Sequence, residues 1–225
     1  RTIMDYKRIR THDIQSLMAI QLNRLTQQDI QNAINLESAR LSPKSVRNTH
    51  GLISAVLRQY KLSMRLTTAL PQKVRPELYI PTDDEIKTLM EYVAGTDLEL
   101  PVLLAAFGPM RRGEICALDT DHIKGNRVHV CKNMVRTTEN TWIIKQPKSY
   151  AGDRYIDYPD FVAEKWKGKK GRITELTPDC ITNRFHIVLK RAGLAHFRFH
   201  DLRHPYVKPT TKKFTTFFED FRAAA

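Results

Sequence analysis

Apolar residues recur at steps of three and four through the first third of the chain, the spacing typical of amphipathic helices. Ile30 and Ile34 share one such face. Thr26, with Asp29 three residues later, predicts a capping box at the start of that helix. We therefore expect residues 1–76 to form a helical domain.

A longer helix is predicted from Ser42 onward, with Pro43 in its first turn, where the N–H that proline lacks would have no partner. Its predicted apolar face consists of Val46, Ile53, Val56, Leu57, Tyr60 and Met64. Another set recurs at similar spacing and forms a basic stripe around two small residues: Arg47, Gly51, Ser54, Arg58, Lys61 and Arg65. Such a stripe can follow a phosphate backbone, although an ordinary solvated face has the same pattern.

Residues 77–225 have a mixed pattern that predicts a second domain. Three prolines mark residues 71–81 as a basic interdomain linker, and Thr82 with Glu85 predicts a capped helix after it. The run LELPVLLAAFG predicts a buried helix, and a further capped helix is predicted from Thr177. RVHVCKNMV, TWIIKQ and RYIDY predict strands. The expected fold class is mainly α with a small antiparallel β-sheet.

The charge of the chain favours a polyanionic partner. The net charge is +13, and residues 1–80 contain thirteen Lys or Arg against five Asp or Glu, so +8 lies in the helical part. Nucleic acid is the first candidate and an anionic membrane surface the second, although no apolar run approaches the roughly 20 residues that span a bilayer. Three cysteines without a pairing or metal spacing indicate a reducing cytoplasm. Because the chain starts at Arg1, we expect a fragment.

Four short segments carry the candidate chemistry: GPMRRGEICAL at 108–118, QPKS at 146–149, DRYI at 153–156 and HDLRH at 200–204. Each is weak alone. In this order, with a sheet between them, they resemble the tyrosine recombinases, also called phage integrases. Members of that family carry G-L/M-R-x-G-E-x-x-x-L, then a lysine in a turn, an R-x-I strand and H-x-L-R-H. The resemblance covers nearly the whole chain and suggests an integrase of a phage or conjugative transposon.

The resemblance implies a two-domain clamp around double-stranded DNA, with residues 1–76 as the core-binding domain and residues 77–225 as the catalytic domain. It implies site-specific recombination through a covalent 3′-phosphotyrosine. It implies no metal and no other cofactor, since the covalent bond conserves the energy of the broken one. It also implies DNA-dependent homo-oligomers, from dimers to tetramers, and a cytoplasmic location.

The resemblance assigns four catalytic residues: Arg111, Lys148, His200 and Arg203. The two arginines would bind the non-bridging phosphate oxygens, the lysine would protonate the 5′-oxygen leaving group, and the histidine would act as an acid–base or phosphate-binding group. Arg111 is preferred to Arg112 because the family's arginine stands three residues before the acid, here Glu114, which would be structural. The expected DNA-binding residues are Lys44, Arg47, Arg58, Lys61 and Arg65.

The pattern departs from the family after His204, where only 21 residues follow and no G-H pair occurs. Tyr206 lies too close to Arg203 to serve as an independent nucleophile, so the nucleophile stays unknown. Three explanations stay open. The chain is truncated, its sequence joins two segments across a missing stretch, or the protein is a degenerate homologue that binds DNA without cutting it. The function alternatives are a non-catalytic DNA-binding regulator and a type IB topoisomerase-like enzyme.

Overall fold

The structure is a computed structural model that describes residues 2–60, 64–74, 79–147 and 152–203. Contacts divide the chain into two compact units, Arg1–Glu77 and Leu78–Ala225. Each unit has its own cluster of buried apolar side chains. The described part is largely helical with short antiparallel strands, which confirms the expected fold class.

The first unit contains helices α1 (Thr2–His12), α2 (Gln15–Met18), α3 (Gln27–Ser38) and α4 (Pro43–Tyr60). The capping box expected at the start of α3 is confirmed, because Thr26 accepts from the Asp29 backbone N–H while Asp29 accepts from that of Thr26. Ile30 and Ile34 of α3 are fully buried, as is Val46 of α4. The two helices therefore share one apolar core.

A buried carboxylate lies against the inward face of α4. Asp13 is fully buried, and its oxygens accept from Arg8 at 3.2 Å, from Arg40 at 3.1 Å and from the Thr49 hydroxyl at 3.4 Å. A threonine in an otherwise apolar environment needs such a partner. Thr49 thus joins the buried face of α4.

The apolar face expected for this helix is partly wrong. Its buried residues are Val46, Thr49, Ile53 and Leu57. Val56 and Tyr60 are 42% and 72% exposed. The helix ends at Tyr60, so Met64 does not lie on it. Val46, Ile53 and Leu57 of the expected face are buried, and Thr49, which bonds to Asp13, lies among them.

Residues 64–74 form neither helix nor strand. The Gln31 side-chain amide accepts from the Ala69 N–H at 2.8 Å and donates to the Ala69 carbonyl at 3.2 Å. The alternating residues Met64, Leu66 and Leu70 pack against the core of the first unit. A helix-like pattern therefore continues in the sequence to Met64, although Met64 does not lie in a helix.

The second unit contains helices α5 (Asp83–Val93), α6 (Glu99–Phe107), α7 (Arg112–Cys116), α8 (Asp160–Ala163) and α9 (Pro178–Arg191). The caps expected at Thr82 and Thr177 are confirmed by their hydrogen bonds to the Glu85 and Cys180 backbone N–H groups. All residues of α6 after Glu99 are buried, so this helix is the centre of the unit. A 3₁₀ turn, Phe199–Arg203, packs against it.

Five short strands lie beside these helices: β1 (Ile123–Lys124), β2 (Arg127–Val130), β3 (Asn133–Arg136), β4 (Trp142–Lys145) and β5 (Arg154–Asp157). They form two antiparallel sheets, ordered β1-β2-β5 and β3-β4. The single strand expected for RVHVCKNMV is therefore divided between two sheets. Cys131 and Lys132 leave the ladder, and β3 packs on α7 instead.

Candidate active site

Two glycines fix the backbone of the GPMRRGE segment. A Cβ on Gly108 would lie 1.8 Å from the Tyr158 hydroxyl, and a Cβ on Gly113 would lie 2.6 Å from the Met134 carbonyl oxygen. Both distances are far below van der Waals contact, so a side chain at either position would displace its neighbour. Tyr158 is itself fixed, since its buried hydroxyl donates to the Leu104 carbonyl at 3.0 Å. The residues between the glycines are thus held against the core.

Glu114 supplies a buried carboxylate, with its side chain 5% exposed. It accepts from the backbone N–H of Arg111 at 2.8 Å and from the Arg111 guanidinium at 2.7 Å. It also accepts two bonds from the Arg154 guanidinium, at 3.2 and 2.8 Å. Burial acts most strongly on the pKa of Glu114 and raises it, but the bonds from Arg154 and Arg111 together outweigh burial and leave that pKa below its ordinary value.

Arg203 is the last residue of the 3₁₀ turn Phe199–Arg203, and its side chain lies near Glu114 and Arg154. Its Nε donates to the Pro109 carbonyl oxygen at 2.5 Å, and Nη2 of Arg154 lies 3.5 Å from that same oxygen. Burial lowers the pKa of Arg203 first, and the charge of Arg111 lowers it further, while Glu114 opposes both. Among the described residues, three guanidinium groups therefore lie with one carboxylate, a net charge of +2, which suits an anion.

Arg112 faces a different part of the unit. Its Nη1 donates to the Thr182 hydroxyl and, at 3.3 Å, to the Pro178 carbonyl oxygen. These contacts attach the start of α7 to the first turn of α9. The structure thus brings Arg111, rather than Arg112, to Arg203 and Glu114.

His200 is exposed and lies in the same 3₁₀ turn as Arg203. The buried carboxylate of Asp201 fixes this turn, because it accepts from the Arg198 backbone N–H at 2.9 Å and from the Arg198 guanidinium at 2.7 Å. Lys148, the expected general acid, lies outside the described residues, as do His204 and Tyr206.

Neither a metal site nor a membrane span is found among the described residues. No group of three or more His, Cys, Asp or Glu side chains in that part of the chain is placed to hold a metal ion. No helix in the same part is both long and apolar enough to cross a bilayer.

Of the basic stripe expected in the first unit, Arg47, Gly51, Ser54 and Arg58 lie along one side of α4. Arg47 is half-buried and donates to the Pro71 carbonyl at 2.8 Å. Arg65 is exposed in the segment 64–74, and Lys61 lies outside the described residues. The exposed face of α4, opposite its buried residues, consists of Lys44, Asn48, Gly51, Ala55 and Arg58. Two cations, neither of them in an ion pair with any described residue, thus flank a centre with small side chains.

Comparison with known proteins places this geometry in a known fold. No protein-family model and no curated protein sequence matches the chain. The Tn1549 transposon integrase, solved with transposon right end DNA, aligns over 91% of this chain and 79% of its own, with a TM-score of 0.73 and 16% identity. Lambda integrase bound to DNA aligns over 89% of this chain and 74% of its own, with a TM-score of 0.59 and 19% identity. A lambda integrase tetramer bound to a Holliday junction aligns over 96% and 66%, with a TM-score of 0.62 and 19% identity. This chain has the tyrosine recombinase fold.

Within this tyrosine recombinase fold, Arg154 is a site residue for which the sequence predicted no role. It begins β5, where exposed and half-buried residues alternate, and it lies on the half-buried face with Ile156. An arginine on the inward face of a strand needs a carboxylate or carbonyl partner. The inward position of Arg154 in RYIDY indicates that it has a partner. It does not indicate which one, because Glu114 stands 40 residues earlier.

Proposed function

We propose that this chain is a site-specific DNA recombinase or integrase that cleaves and rejoins strands through a covalent 3′-phosphotyrosine. The observation that carries the proposal is the arginine cluster around Glu114. Arg111, Arg154 and Arg203 converge there from three separate parts of the chain. The fold shared with DNA-bound integrases supports the same conclusion.

The cluster suits phosphoryl transfer because a phosphodiester gathers negative charge on its non-bridging oxygens during attack. Guanidinium groups stay charged at every relevant pH and bind such oxygens through directed, charge-assisted bonds. Arg111, whose side chain is 55% exposed, keeps donors available while Glu114 fixes its orientation. We assign the phosphate-binding role to Arg111 and Arg203. Loss of one such donor costs about 3 kcal/mol of transition-state stabilisation.

The reaction needs further groups. A tyrosine oxygen attacks the phosphorus and the bond to the 5′-oxygen breaks, so the tyrosine loses a proton and the leaving oxygen gains one. Lys148 is the proposed donor of that proton, and His200 the proposed acid–base or phosphate-binding group. The released 5′-hydroxyl of a partner strand then attacks the phosphotyrosine, and the bond from phosphorus to the tyrosine oxygen breaks. The hydroxyl loses a proton and the tyrosine oxygen gains one, so a phosphodiester and a free tyrosine are restored. The nucleophilic tyrosine is not assigned.

The first unit is proposed to be the core-binding domain, and duplex DNA the partner of both units. The exposed face of α4 supports this role, because Lys44 and Arg58 can contact phosphates while Gly51 and Ala55 allow close approach. Recombination joins two sites, so we propose DNA-dependent dimers and tetramers. The lambda integrase tetramer bound to a Holliday junction supports the proposed assembly.

A covalent-capture assay tests the proposed function. A binding site is first selected from random duplex DNA, and a set of duplexes nicked at successive positions is then prepared from it. Each duplex is mixed with this chain, and with a version carrying any residues encoded after Ala225, and the products are denatured. We expect a covalent protein–DNA band with at least one version. A band formed by this chain without the extension would show that the nucleophilic tyrosine lies within its own residues.

Two variants make the assay specific. Arg203→Lys should reduce the band by 10²-fold to 10³-fold. Arg184→Lys, which alters an exposed arginine paired with Asp97, should leave it unchanged. Tight, salt-sensitive binding without any band in either version would contradict the proposal and favour a DNA-binding regulator. Relaxation of supercoiled DNA that lacks the selected site would favour a topoisomerase.

A further inference from the structure

Arg154 contacts both acceptors that hold the two proposed phosphate-binding arginines. Its Nη1 and Nη2 bind the two oxygens of Glu114 at 3.2 and 2.8 Å, and Glu114 in turn binds Arg111. Its Nη2 also lies 3.5 Å from the Pro109 carbonyl oxygen, which accepts from Arg203. One guanidinium thus connects both arginines.

The backbone of Arg154 is fixed independently of that cluster. The residue pairs with Val130 in the antiparallel ladder between β2 and β5, and Val130 is buried in the core. The Arg154 side chain is 25% exposed, against 55% for Arg111. Arg111 by contrast precedes a helix of five residues, and Arg203 ends a 3₁₀ turn. Strand pairing therefore holds the backbone of Arg154 in addition to its contacts in the cluster.

The like charges of Arg111, Arg154 and Arg203 oppose this close arrangement. Burial lowers the pKa of Arg203, as do the neighbouring charges of Arg111 and Arg154. The three cations repel one another, so their spacing depends on fixed acceptors rather than on attraction between them. A planar guanidinium can span two carboxylate oxygens and a carbonyl, whereas an ammonium group at the same place cannot.

We propose that Arg154 is a positioning residue for phosphoryl transfer, which fixes Arg111 and Arg203 relative to each other through Glu114 and the Pro109 carbonyl. The proposal rests on the proposed recombinase function for its kinetic consequence and on the contacts alone for its structural one. A displacement of a catalytic group by about 1 Å can reduce a rate by about 10²-fold.

Arg154→Lys tests the kinetic consequence, with Arg172→Lys as the matched control. The Arg172 side chain is 29% exposed, lies in the same unit, and bonds to the Cys116 carbonyl and Glu175 instead of the cluster. We expect Arg154→Lys to slow covalent-adduct formation on nicked duplex about 10²-fold while DNA affinity changes less than threefold. Arg172→Lys should change the rate less than threefold.

A neutral linkage separates positioning from general damage to the fold. When a methylphosphonate replaces the scissile phosphate, the charge that the arginines would stabilise is largely removed. The loss caused by Arg154→Lys should then be at least tenfold smaller than on the phosphodiester. Equal losses on both substrates, or a rate within threefold of wild type on the phosphodiester, would overturn the proposal.

A spectroscopic measurement decides the structural part even if no variant forms an adduct. In ¹H–¹⁵N spectra of the free protein, the Nε–H signal of Arg203 reports its bond to Pro109. Arg154→Lys should shift or broaden this signal and that of Arg111, and Arg172→Lys should leave both in place. Unchanged signals in Arg154→Lys would show that the cluster does not depend on this residue, whatever the reaction of the protein.

Discussion

Glu114→Gln tests whether a buried, ionised carboxylate holds the site together. The substitution keeps the shape of the side chain and removes its charge. Glu114 is 5% exposed and accepts four hydrogen bonds, two each from Arg111 and Arg154. A glutamine offers one acceptor oxygen, and the N–H groups of its amide would face N–H donors of Arg111 and Arg154. Two of the four bonds are therefore lost and a repulsive contact replaces them.

The expected loss of stability is about 3 kcal/mol. Each charge-assisted bond contributes about 1.5–3 kcal/mol, and removing one partner of a buried ion pair costs about 3–5 kcal/mol. The lower end applies here because the Arg111 and Arg154 side chains are 55% and 25% exposed and can regain water.

The pH dependence has a definite sign. The pKa of Glu114 is lowered in the folded chain from an ordinary value of 4.5, so its contribution is fully present above about that pH. It is lost as the pH falls through the lower folded value. The difference in unfolding free energy between wild type and Glu114→Gln should thus be constant near pH 7 and shrink below about pH 4.5.

Urea denaturation followed by tryptophan fluorescence measures this difference. The only two tryptophans of the chain, Trp142 and Trp166, both belong to the second unit, so the signal reports the unit that contains Glu114. Glu175→Gln is the control, because that carboxylate is 85% exposed and should contribute less than about 0.5 kcal/mol. Equal unfolding free energies of the two variants at pH 7 would refute the reasoning. So would a difference between wild type and Glu114→Gln that stays undiminished at low pH.

Three further predictions follow from packing and charge. Gly113→Ala should destabilise the second unit by about 2 kcal/mol in the same denaturation assay, because its Cβ would overlap the Met134 carbonyl. Gly51→Ala has open space and should not weaken DNA binding, whereas Gly51→Leu should weaken it at least tenfold in a titration if this face of α4 meets DNA. Arg58→Gln should reduce the slope of log affinity against log salt by about one, and an unchanged slope would exclude a phosphate contact at that residue.

Local features of the fold could be predicted because the residues that determine them are neighbours in sequence. The caps at Thr26, Thr82 and Thr177 each depend on a hydroxyl and a backbone N–H three residues later. The buried face of α4 could not be predicted in full, because Thr49 is buried with a hydrogen bond to Asp13, 36 residues away. Pattern alone treats a threonine as a surface residue.

The same distinction applies to the two sheets. RVHVCKNMV has strand propensity throughout, and nothing within it marks where the ladder ends. The break falls after Val130 because β2 pairs with β5 while β3 pairs with β4. The pairing partners, not the strand itself, thus determine that boundary.

The contact between Arg111 and Glu114 depends on residues that are neighbours in sequence. Helix α7 begins at Arg112, and Arg111 is its extended N-cap residue. A glutamate at the third helical position can reach back to the N-cap N–H, which is the contact that Glu114 makes at 2.8 Å. The spacing of three residues between arginine and acid is therefore a property of a helix start. It orients Arg111 by the same bonds that cap the helix, whereas Arg112, one residue on, is turned toward α9. Arg154 obeys no such local constraint, because its link to Glu114 exists only once β5 has paired with β2.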